Sequence, residues 1–148
     1  NTSAFDLEEV NVALQLLDAR RSNFGDGIVA IDCGANIGVH TIEWAKHMHG
    51  WGEVVSFEAQ ERVFYALAGL NRCDFIKIDI EGMEMDALIG AKKTIEKYKP
   101  QMMIEKIKSN ESEITDLLTK QGYKIFPLGI NILAIHEDDP TSKIINTA

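Results

Sequence analysis

Ile31-Asp32-Cys33-Gly34-Ala35-Asn36-Ile37-Gly38 decides how this chain folds. An apolar run, Ile28 to Ile31, ends in an acid and a glycine-spaced turn, and a helical pattern follows. Twenty residues past Gly38, a second apolar run ends in Glu58. A strand, a tight glycine turn, a helix and a strand ending in an acid make a site for a nucleoside-bearing cofactor.

The spelling of the turn bears on which cofactor. A dinucleotide turn reads Gly-x-Gly-x-x-Gly, and its second glycine lets backbone approach a pyrophosphate. Here Asn36 holds that place. Its side chain obstructs a pyrophosphate but can hydrogen-bond a smaller polar group. S-adenosylmethionine has no phosphate and ends in an ammonium and a carboxylate. Asp32 suits the ammonium, turn amides suit the carboxylate, and Glu58, acceptor-only when ionised, suits the ribose hydroxyls. Asp32, Gly34, Asn36, Gly38 and Glu58 are the expected cofactor-binding set.

Outward from this turn the chain alternates. Asp6 with Glu9 reads as a helix cap, followed by Leu7, Val10, Leu14 and Leu17 at helical spacing. Arg20 and Arg21 suit the last turn of that helix. Residues 1–27 are thus an N-terminal helix and lead-in. A second helix carries Ile37, Thr41, Trp44 and Met48 on one stripe, and Glu53 to Phe57 is the second strand. Further expected elements are a helix from Arg62 to Ala68, a strand Phe75 to Asp79, a helix near Met83 to Tyr98 stopped by Pro100, and a strand Met102 to Glu105. A short helix capped by Asn110 and Glu113 follows, then an antiparallel hairpin of Tyr123–Phe126 and Ile132–Ile135. Residues 137–148 read as a flexible tail. The alternation implies one α/β domain over residues 1–148, with a doubly wound, mostly parallel sheet and a C-terminal antiparallel hairpin. Asp32, Glu58, Asp79 and Glu105 all fall at carboxyl ends of strands, where such sheets bind ligands.

The bulk properties narrow the partners. The 148 residues suffice for one core. A formal net charge of −8 argues against nucleic acid or an anionic membrane as the main partner. Cys33 and Cys73 form neither a disulfide framework nor a zinc spacing, which fits a cytoplasmic location. No apolar stretch reaches membrane-spanning length, and the first residues carry no signal-peptide core. The sequence is silent on oligomeric state.

Taken together, Ile31–Gly38, Ser56-Phe57-Glu58, the block Asp74-Phe75-Ile76-Lys77-Ile78-Asp79-Ile80-Glu81-Gly82-Met83-Glu84, Lys99-Pro100 and Ile104-Glu105 resemble the FkbM-type methyltransferases, in that family's order. The resemblance runs from about Ile28 to Ala134. It implies a class I, Rossmann-like S-adenosylmethionine fold and methyl transfer to a hydroxyl of a sugar, glycan or natural product. The family fold has a third strand and another helix between the Glu58 and Lys77 strands. Here only Ala59 to Asp74 separates them. The third-strand region is therefore expected to be missing, with a join between Ala66 and Asp74, and the adenine-contacting residues go unnamed.

A hydroxyl acceptor needs alignment with the methyl and help losing its proton. Asp79 and Glu81, at the mouth of the third predicted strand, and His40, early in the second helix, are the expected catalytic groups. In the related catechol-type O-methyltransferases, acids at these strand ends hold magnesium, so by analogy Asp79 and Glu105 form a candidate Mg2+ pair. Structural readings compete. Glu81 and Glu84 could complement a helix N-terminus, Lys77 could snorkel, and Glu105 could pair with Lys106 or Lys108. His40 could be solvated, and Asn131 could satisfy a loop. The rival functions are an NAD-dependent oxidoreductase and a non-catalytic binding module on the methyltransferase fold.

Overall fold

Six strands form one sheet in the order β2-β1-β3-β4-β6-β5. The computed structural model describes residues 3–35, 38–57, 70–80, 82–106 and 110–145. Along the chain these are α1 (Ser3–Phe24), β1 (Ile28–Cys33), α2 (Val39–His47), β2 (Gly52–Phe57), β3 (Phe75–Ile78), α3 (Glu84–Gly90), α4 (Lys92–Tyr98), β4 (Gln101–Glu105), α5 (Glu111–Lys120), β5 (Tyr123–Leu128) and β6 (Asn131–His136). A 3-10 turn, Pro140–Lys143, follows. The helix expected from Arg62 to Ala68, and the expected join, lie wholly or partly outside the described residues.

β1 pairs in parallel with β2 on one side and β3 on the other, and β3 pairs in parallel with β4. β6 runs antiparallel to both β4 and β5, so it alone opposes the others. The chain leaves β1 for β2 and later returns to β1's other edge with β3. That reversal makes the carboxyl ends of β1 and β3 a topological switch point. The expected sheet, with its closing antiparallel hairpin, is the one observed.

β1 is buried along its whole length, as a central parallel strand must be. One sheet face carries Ile28, Ala30, Phe75, Met103 and Leu133 and packs on Ala13, Leu16 and Leu17 of α1 and Trp44 of α2. The other carries Ile31, Ile76, Ile78, Met102 and Ile104 and packs on Leu88, Ile95, Ile114 and Leu118 of α3, α4 and α5. Cys33 and Cys73 are buried in this second layer, which pushes both thiols up to about 12. They are structural, inert thiols.

Several boundaries depart from expectation. α1 starts at Ser3, so Asp6 is a first-turn acid and not the cap. The inward stripe of α1 is Val10, Ala13, Leu17 and Arg20, with Leu7 facing solvent at 64% exposure. The expected Met83–Tyr98 helix breaks after Gly90, the weakest helix former in the run. Lys99 takes a left-handed φ of 48° ahead of Pro100 and ends α4. Asn110 caps α5 by position but makes no side-chain cap bond. Its amide instead donates to Glu113 Oε1 at 2.9 Å.

Arg20 is not a helix-end surface charge. It is buried, with Nε 3.3 Å from Asp74 Oδ1 and Nη1 2.8 Å from Asp139 Oδ2. Asp74 Oδ2 also accepts from the Val29 amide at 3.0 Å and from Arg72 Nε at 2.6 Å. Gln101 Nε2 donates to Asp139 at 3.0 Å. This network closes the amino ends of β1, β3 and β4. It also folds residues of the expected tail, Asp139, Thr141 and Ser142, into buried positions. The polar composition of that tail supplies an anchor, and residues 137–145 do not trail away.

Candidate active site

The opposite, carboxyl edge of the sheet gathers the polar residues. Strand register puts Ser56, Asp32, Lys77 and Met103 in one row on the face covered by α1 and α2. Two residues further on, Glu105 of β4 stands opposite Asn131 of β6 on the same face. Alternation along each strand aims these side chains at one mouth.

Asp32 is buried at the end of β1. Its Oδ2 accepts from Thr41 Oγ1 at 2.7 Å. Thr41 Oγ1 also lies 2.8 Å from Ser56 Oγ. With the Thr41 proton committed to Asp32, Ser56 donates to Thr41. Asp32 Oδ1, equally buried, has no partner among the described residues. A buried carboxylate oxygen left unpaired is costly and marks a place for a donor that the protein does not itself supply.

Gly34 has a φ of 87°, and a Cβ there would stand 1.8 Å from the Asp79 carbonyl oxygen. The amides of Gly34 and Ala35 both donate to the Phe57 carbonyl, at 2.9 and 3.2 Å, and the Asp79 amide donates to Cys33 O at 3.1 Å. Gly34 is therefore glycine because three strand ends are laced together, and the first two turn amides are spent on that lacing. Gly38, φ 82°, opens α2. The amides left for an anion are those of the first turn of α2, which have no intrahelical partner. Asn36, Glu58 and Glu81 lie outside the described residues.

Beyond the switch point, Lys77 is 2% exposed, and its Nζ lies 2.7 Å from Asp79 Oδ2. Burial first, then the neighbouring Asp79 charge and hydrogen bonding with Asp79, push the Glu105 carboxyl up to about 7 against the opposing pull of Lys77. Two acids sharing a proton beside an ammonium can accept a proton near neutral pH. Lys77 thus neither reaches solvent nor snorkels. Lys106 pairs with Glu111 at 3.3 Å and not with Glu105. Glu84 is not an outward charge: it is buried, and its Oε1 accepts from the Ile80 and Gly82 amides at 3.2 and 3.1 Å, shaping the loop after β3.

His40 sits in the first turn of α2 with its ring edge-on to Trp44 and its Nε2 3.7 Å from Glu9 Oε2. That spacing is too long for a hydrogen bond, and Nε2 has no other partner. The facing His40, then the Asn131 amide and the Lys77 charge, outweigh burial and hold the Glu9 carboxylate below its usual range. Asn131 Nδ2 donates to Glu9 Oε1 at 2.7 Å. Glu9 is a mouth residue that helical periodicity hides, because it reads as a cap. Lys77 does have a sequence signal, a charge between two isoleucines in a strand predicted to be buried.

The residues fit the two proposed groups unequally. The unpaired Asp32 oxygen and the α2 first turn suit the ammonium and carboxylate of S-adenosylmethionine. A magnesium ion prefers six oxygens in near-ideal octahedral geometry. Among the described residues no group of three or more metal-ligating side chains occurs. Asp79 already holds the Lys77 ammonium. Nothing among the described residues supports the Mg2+ pair expected at Asp79 and Glu105.

Comparisons with known proteins bear on the fold. The family profile described as "Methyltransferase FkbM domain" matches residues 62–125, which include β3, Asp79 and Glu105. No curated protein sequence matches significantly. A crystal structure of methyltransferase FkbM from Methylobacillus flagellatus KT aligns with a TM-score of 0.50 at 21% identity, over 75% of this chain and 43% of that one. The chain thus spans less than half the length of that relative. A protein-(glutamine-N5) methyltransferase, release factor-specific, from Alicyclobacillus acidocaldarius aligns with a TM-score of 0.58 at 14% identity, over 86% of this chain and 89% of that one. The fold is that of the class I S-adenosylmethionine-dependent methyltransferases.

Proposed function

We propose that this chain, an FkbM-type methyltransferase by its domain match and fold, transfers a methyl group from S-adenosylmethionine to a hydroxyl of a sugar, glycan or natural-product small molecule. The observation that carries this reading is the buried, unpartnered Asp32 Oδ1 at the switch point. It lies at the same strand edge as the hydrogen-bonded Asp79–Glu105 pair.

The bound donor supplies an already activated methyl on its sulfonium, so the protein's task is alignment and proton removal. Asp32 holds the donor ammonium, and the first turn of α2, with Gly38 before it, faces the carboxylate. Glu58 would take the ribose hydroxyls, and Asn36 in place of a glycine would disfavour a pyrophosphate. Asp79 and Glu105 receive the proton that the acceptor hydroxyl gives up. Glu81 and His40 are further candidate catalytic groups. The buried free thiols suit a reducing compartment such as the cytoplasm.

Calorimetric titration with S-adenosylmethionine, S-adenosylhomocysteine and NAD tests the reading. Binding of the first two without NAD supports it. Binding of NAD alone would make the chain an oxidoreductase, and binding of none would make it a non-catalytic module. Glu58→Ala should weaken donor binding by about 1.5–3 kcal/mol through lost charged hydrogen bonds.

A further inference from the structure

A lysine with its Nζ at the floor of an acid-lined mouth is unusual, because burying an ammonium is costly unless carboxylates surround it. Lys77 is so placed. It projects from β3, flanked in register by Asp32 of β1 and Met103 of β4. Its side chain is 2% exposed, and its Nζ reaches Asp79 Oδ2 at 2.7 Å. Its charge also acts on Glu105 and on Glu9. The buried ammonium is thus paired with Asp79, with two further carboxyl groups, of β4 and α1, within reach of its charge.

A divalent ion bound by Asp79 and Glu105 would have to share Asp79 with this ammonium. Two cations on one carboxylate repel. Magnesium also takes its oxygens at about 2.0–2.1 Å in near-octahedral array.

We propose that Lys77 is the resident cation of this mouth: its ammonium fixes Asp79 and neutralises the acid cluster, in the place where a metal-dependent O-methyltransferase keeps a divalent ion. Lys77 is a positioning residue, acting on the acceptor through Asp79 and Glu105. The methyl-transfer role rests on the function proposed above, but the cation assignment is tested without any methyl donor.

The probe is Mn2+ alone, followed by electron paramagnetic resonance on the full chain at millimolar metal. The wild type is expected to leave the free Mn2+ signal undiminished. Loss of free signal in the wild type, restored by Glu105→Gln, overturns the proposal. Lys77→Met, which keeps the length and removes the charge, is expected to gain saturable Mn2+ binding that a second change, Glu105→Gln, abolishes. A folded Lys77→Met protein that gains none shows that the ammonium is not holding a cation's place, and also overturns the proposal. Lys77→Arg keeps the charge and is expected to gain none, which separates charge from packing. Donor titration of the same samples reports separately on the methyltransferase reading.

Discussion

Asn131 at the start of β6 donates its side-chain amide to Glu9 of α1 at 2.7 Å, joining residues 122 positions apart over the mouth of the site. The bond ties the amino-terminal half of α1 to the last strand of the sheet. Asn131 is 2% exposed, so losing its acceptor leaves a buried amide unpaired. Glu9→Ala should therefore destabilise the fold by about 1–3 kcal/mol. A urea-unfolding double-mutant cycle with Asn131→Ala should give a coupling energy of at least half a kcal/mol in magnitude, on the order seen for contacting residues. Strictly additive single effects would mean the two side chains do not share this bond.

Asp32→Asn separates the structural from the binding role of that residue. The amide oxygen can still accept from Thr41, so the turn should hold and the unfolding midpoint should move little. The charge that meets the donor ammonium is lost. Affinity for S-adenosylmethionine should fall by about 1.5–3 kcal/mol, roughly ten- to more than a hundredfold. A variant with unchanged affinity would show that the unpaired oxygen serves something else.

Gly34→Ala should be among the most damaging single substitutions in this protein. The new Cβ would meet the Asp79 carbonyl at 1.8 Å, a contact with backbone that no side-chain rotation relieves. The φ of 87° adds strain for any residue with a Cβ. Destabilisation of roughly 4–5 kcal/mol, or failure to fold, is expected, as for the most severe core changes. Gly129→Ala offers the control. Its φ is also positive, at 53°, but nothing lies within 4 Å of its added Cβ, and it should cost far less by thermal unfolding.

Alternation of apolar runs with helical stripes was enough to read the sheet, its direction and the final hairpin, because those patterns report which faces are buried. The same logic placed Asp32, Asp79 and Glu105 at strand ends, and register then put Asp32 and Glu105 on one face. Periodicity could not find what depends on partners distant in sequence. Arg20 reads as a helix-end charge until Asp74 and Asp139, 54 and 119 positions away, enclose it. Glu9 reads as a cap until Asn131 reaches it. The metal expectation came from analogy in acid placement, which takes no account of Lys77, a residue that the one-dimensional pattern left undecided between partner and snorkel and that pairs with Asp79.

Arg20 supports two buried carboxylates at once, so Arg20→Met should cost roughly 3–5 kcal/mol in chemical unfolding. The network also sets an acid limit. Burial alone would raise the Asp139 carboxyl, but the Thr141 amide and the Arg20 guanidinium outweigh it and hold it below its usual range. A carboxyl depressed in the fold contributes stability that is present above its unfolded pKa and lost as pH falls through the folded one. Acid unfolding should therefore be eased by Arg20→Met, and Asp139→Asn should lower stability at neutral pH while flattening its acid dependence.

Glu105 has the opposite sign. Its carboxyl is raised from 4.5 to about 7, so the fold prefers it protonated. The stability it contributes is complete below pH 4.5 and is lost as pH rises through about 7. Glu105→Gln keeps a neutral, hydrogen-bonding group beside Asp79 and removes the titration. Unfolding midpoints measured from pH 5 to 8.5 should fall more steeply in the wild type than in this variant, with the gap widest at the alkaline end. Parallel pH profiles would show that the Glu105 carboxyl is not raised by its burial and by Asp79.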